Sequence, residues 1–147
     1  MTLRLSGPPR GLVMASFDRA LLARRARLAL RALEQARAEL SLALVGDAAM
    51  AELNLHHRGK RGPTDVLSFS LLEGAHSEYR GALLGDVVID VEQAARQARR
   101  ARRPLDDELA KLVIHGVLHL LGHDHEEAAG ARRMRVEERR LWQVVRA

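Results

Sequence analysis

TDVLSFSLLEGAHSEYRGALLGDVVIDV, residues 64–91, holds two β-branched, apolar runs, TDVLSFSL and GDVVIDV, joined by a polar loop with no helix between them. Such runs read as strands, and the lack of a crossover helix makes them neighbours in one sheet. Working back from them, HRGKRGP (57–63) reads as a basic loop, residues 48–56 as a short helix, and LSLALV (40–45) as a third strand. Before that, Ser16 reads as the N-cap of a helix reaching about Ala38. Leu22, Ala26, Ala29, Leu33 and Ala36 form its core face, with Arg24, Arg27 and Arg31 opposite. A first strand falls at 2–5 or 12–15.

Working forward, a helix over residues 90–102 stops before Pro104, and Asp106, Asp107 and Glu108 open the next helix where its dipole favours acidic side chains. Gly122 ends that helix, and a last amphipathic helix covers about 126–145. Strands and helices in this order predict an α+β fold: a small mixed four-stranded sheet covered by about five helices. No linker-like tract divides residues 1–147, so one domain is expected.

Charge and composition narrow the function. There is no cysteine, so a metal would have to be held by imidazole or carboxylate. Twenty-two arginines and two lysines leave a net charge of +5. The excess lies in residues 1–37 and 92–103 and suits a polyanion such as RNA. Aromatic residues are too scarce for a base-stacking platform. No segment has the apolar length of a signal core or a membrane span, so a cytoplasmic location is expected.

The segment HGVLHLLGHDH (115–125) holds four of the seven histidines. His115 and His119, four apart on a helix, can reach one ion from one face, and the turn at Gly122 lets His125 swing back as a third ligand. His123 is the alternative third ligand but follows the glycine directly. Three histidines with an open fourth position is the arrangement of a catalytic zinc, so one Zn2+ or other divalent ion per chain is expected at the end of a core helix. The spacing equals that of the metzincin peptidases, HExxHxxGxxH, except that Gly116 stands where those enzymes carry their general-base glutamate, which argues against ordinary proteolysis. Asp124 is one candidate substitute base. His56, His57 and His76 show no ligand spacing and read as surface residues.

These motifs resemble the YbeY-type endoribonucleases, also called rRNA maturation factors. HGVLHLLGHDH is similar to the family's histidine signature, with His123 where the family has tyrosine. LNLHHRGKRGPTDVLSFSL (53–71) resembles its arginine-glycine loop and LLGDVVI (83–89) a third block. The resemblance implies a metal-dependent, single-strand-specific RNA hydrolase of late small-subunit rRNA maturation and ribosome quality control. It also implies that Arg58 is functionally needed, and that ribosomal proteins or an assembly GTPase are candidate partners, with neither DNA nor membrane expected. Arginine's planar fork suits a phosphodiester beside a metal. Two rival readings are a ribosome-assembly RNA-binding factor with a mainly structural metal, and an atypical metallopeptidase.

Overall fold

The computed structural model describes residues 2–70, 83–123 and 126–146. In chain order the elements are β1 (Thr2–Ser6), α1 (Arg19–Ala32), β2 (Glu39–Val45), α2 (Asp47–Arg58), β3 (Val66–Ser70), β4 (Leu83–Asp90), α3 (Val91–Ala101), α4 (Leu105–Leu120) and α5 (Ala128–Val145). The sheet runs β1-β2-β4-β3, with β1, β2 and β4 parallel and β3 antiparallel to β4. This is the α+β architecture the sequence predicts. The two runs that decided it pair from Val66↔Ile89 to Ser70↔Gly85.

Strand alternation sorts the core into two faces. Leu40, Leu42, Leu44, Val87 and Ile89 point to the face covered by α1, α3 and α4. Ala43, Val45, Leu67, Val88 and Phe69 point to the other, where Met50 and Leu53 of α2 cover them. With both faces covered, β2 and β4 read as nearly continuous apolar runs. Helix α5 forms an outer layer, packing Met134, Leu141 and Val145 on Ile114 and Leu118 of α4. No helix among the described residues is long and apolar enough to cross a membrane.

Helices α1 and α2 differ in extent from the sequence reading. Helix α1 begins at Arg19 because Asp18, not Ser16, caps it, its side chain accepting from the Leu21 N–H at 3.0 Å. It ends at Ala32 because Glu34 turns the chain at φ 60° and the Gln35 N–H reaches back to Leu30 O at 2.8 Å. The apolar spacing continues to Ala36, but spacing does not register where a backbone turns. Helix α2 extends two residues past its expected end, so Arg58 closes a helix and does not sit in a loop.

Gly116 marks a close helix–sheet approach. A Cβ there would lie 2.7 Å from Val87 Cγ1 and 3.1 Å from Ser68 Oγ. Ser68 Oγ also donates to the Gly116 carbonyl at 2.9 Å, tying edge strand β3 to α4.

Candidate metal centre

Helix α4 is buried on nearly every side, and from Glu108 to Leu120 only Lys111, His115 and His119 are partly open. These three recur every fourth residue and so form one stripe. On it the imidazoles of His115 and His119 meet edge-on, ring centroids 4.7 Å apart, with their Nε2 atoms 3.1 Å from each other. Two nitrogens bound roughly 2.0–2.1 Å from a tetrahedral zinc would be separated by roughly 3.3 Å. The pair therefore fits a divalent ion with a shift of a few tenths of an ångström.

Beyond the pair the chain turns sharply. Gly122 adopts φ 94°, the Gly122 N–H donates to His119 O and the His123 N–H to Leu118 O, both at 3.0 Å. This double closure is the Schellman ending, which needs a left-handed residue that glycine provides at no steric cost. It also satisfies the last carbonyls of the helix that carries the histidines. His125, the expected third ligand, lies outside the described residues, as do Asp124 and His76. His123 is half-buried in the turn, while His56 and His57 are exposed at the end of α2, as surface residues should be.

Arg58 is exposed on α2, across the sheet from the histidines. The two are linked around β3. The ring of His57 lies 4.8 Å from that of Phe69, while Ser68, the preceding residue, faces α4 at Gly116. The basic loop after Arg58 is anchored by buried Asn54, whose Nδ2 donates to Gly62 O at 2.8 Å. Sequence reading missed Asn54, though an asparagine amid the inward positions of an amphipathic helix was a usable signal.

It also missed a second polar cluster where α2 and α3 begin. Ligand-capable oxygens of Asp47, Asp90 and Glu92 lie within 4.8 Å of one another. Most are already engaged. Arg96 grips both oxygens of Asp47 at 2.8 and 2.9 Å, and Glu92 accepts the Val13 and Asp47 N–H groups. Asp90, fully buried, caps α3 by accepting the Glu92 and Gln93 N–H groups on Oδ1. Among the described residues its Oδ2 has no donor, and the carboxyl faces Asp47. Burial, then the neighbouring Asp47, pushes the Asp90 carboxyl up to about 7. The hydrogen bond from Arg96 holds Asp47 below the usual carboxylate range. A proton on Asp90 would let the orphaned oxygen donate toward Asp47.

A four-stranded mixed sheet carrying a histidine pair on the one open stripe of a core helix defines an α+β protein with a metal-competent face. Residues 15–146 match the family model described as Endoribonuclease YbeY. The chain is 50% identical over 142 residues to an Endoribonuclease YbeY of Anaeromyxobacter sp., covering 96% of this chain and 70% of the relative. It is also 50% identical over 107 residues to one from Moorella thermoacetica, covering 69% of each. The solution structure of TM1509 from Thermotoga maritima superposes with a TM-score of 0.63 at 25% identity, over 98% of this chain and 89% of that one. The chain belongs to the endoribonuclease YbeY family.

Proposed function

We propose that this protein is a zinc-dependent endoribonuclease, acting as one unit over residues 1–147, that cuts single-stranded RNA during small-subunit rRNA maturation. The observation that carries the metal chemistry is the facing Nε2 pair of His115 and His119 on the open stripe of α4; family membership carries the substrate class. His115, His119 and His125 are the proposed ligands. A divalent ion held there supplies Lewis acidity and a water activated near neutral pH.

The chain's own residues do the rest. The Schellman turn at Gly122 reverses the chain just past His119, as the return of His125 to the same ion requires. Arg58 takes phosphate oxygens with its planar fork, a donor set matched to charge that develops on a phosphodiester. The arginine-rich N-terminal third supplies sequence-independent attraction to RNA. Packing at Gly116 weighs against the peptidase reading, because a glutamate side chain there would run into Val87 and Ser68. The partial exposure of both histidines favours an open site over a closed structural one.

The test is to incubate Zn2+-loaded protein, free of contaminating ribonuclease, with single-stranded RNA, duplex RNA and casein, with and without chelator. Cleavage of single-stranded RNA alone, abolished by chelator, is the expected result. RNA binding without cleavage would instead establish the assembly-factor reading.

A further inference from the structure

On α5 the residues turned toward α4 are Met134, Leu141 and Val145, and Glu138 falls within their stripe, four after the first and three before the second. A carboxylate on an apolar packing face needs a partner, and α4 offers one. Glu138 Oε2 lies 3.4 Å from Nδ1 of His115, while the other ring nitrogen of that histidine, Nε2, faces His119 at 3.1 Å. The acidic neighbour Glu137 is occupied elsewhere, both of its oxygens accepting from Arg140. Lys111, which lines the same small cavity of about 150 Å³ beside Glu138, directs its ammonium over the Trp142 ring, 5.1 Å from the centroid.

We infer that Glu138 is a positioning residue that accepts the Nδ1–H of His115, fixing the tautomer and ring orientation that present the Nε2 lone pair toward His119. The inference rests on the proposed metal site for its consequence, though not for its geometry. An imidazole carries one proton when neutral, and placing it on Nδ1 gives Nε2 the lone pair that a metal ion takes. A carboxylate behind a ligating histidine both orients it and raises its basicity. Because the carboxylate comes from α5, the packing of Met134 and Leu141 on Ile114 and Leu118 sets the angle of a ring on α4.

The experiment has two readouts on the parent, Glu138→Gln and Glu138→Ala. Long-range proton–nitrogen NMR on metal-free protein reads the His115 tautomer, and chelator competition reads Zn2+ affinity. Nδ1–H should dominate in the parent and lose that dominance in Glu138→Ala. Zn2+ affinity should fall about 10–100-fold in Glu138→Ala. Glu138→Gln, whose amide oxygen still accepts, should lie between. An unchanged tautomer in folded Glu138→Ala, or Zn2+ affinity within about twofold of the parent, overturns the inference. His115→Ala and His119→Ala serve as controls. If both keep full Zn2+ affinity the metal site lies elsewhere and the proposed function fails, while the tautomer measurement still decides the role of Glu138.

Discussion

At the scale of single residues, glycine and arginine carry the sharpest expectations. Gly116 has two explanations, a missing general base and a tight helix contact, and the structure supplies the second. Gly116→Ala puts a methyl against Val87, a β-branched side chain with little rotamer freedom. It should cost about 1–3 kcal/mol, seen as a fall of several degrees in Tm. A variant as stable as the parent would mean that α4 can shift off the sheet. Arg58 is exposed at a helix end, so Arg58→Ala should leave fold and metal content intact. RNA cleavage should drop about 10²-fold or more, the scale for losing one donor to transition-state charge. Arg58→Lys should restore only part of it, since an ammonium cannot grip two oxygens in one plane. Equal cleavage rates for the parent and Arg58→Ala would remove Arg58 from the site.

At the scale of elements, the starts of α2 and α3 are joined by carboxylates whose proton count changes on folding. Asp90 titrates at about 7 in the fold against an ordinary value of 3.8, so the native state binds the extra proton in that interval. Its contribution to stability is full below about pH 4 and is lost as pH rises through about 7. Asp47 is shifted the other way, and its contribution is lost only as pH falls below its ordinary 3.8. Asp90→Asn keeps an oxygen to accept the Glu92 and Gln93 N–H groups but cannot ionise. Urea denaturation at pH 4, 5.5, 7 and 8 should therefore show the parent losing stability relative to the variant across that range. Parallel curves would show that Asp90 titrates at its ordinary value in the fold.

At the scale of the whole molecule, charge is distributed unevenly over the surface. Arg24, Arg27 and Arg31 are exposed along α1, opposite the buried Leu22, Ala26 and Ala29, whereas Arg25 between them is held by Asp107 at 3.0 Å. RNA affinity should fall steeply with salt, and reversing the three exposed charges to glutamate should weaken binding and flatten the salt slope by about three phosphate contacts. Metal content, measured on the same preparation, should not move. Affinity unchanged in the triple variant would make that face merely solvated.

Patterns local to the chain determined the elements. The two runs flanking the polar loop, the apolar spacing of α1 and the acidic opening of α4 each depend on residues within a few positions of one another, and each element formed on its pattern, α1 stopping four residues before its pattern ends. The shared face of His115 and His119 was legible for the same reason, since four residues make about one helical turn. What depends on approach between distant segments was decided only by the tertiary structure. Glycine at 116 follows from the proximity of Val87 and Ser68. Asp18 displaced Ser16 as a cap although both residue types cap helices well. The carboxylate behind His115 comes from α5, twenty-three positions along the chain, and no spacing rule joins those residues until two apolar helix faces are packed together.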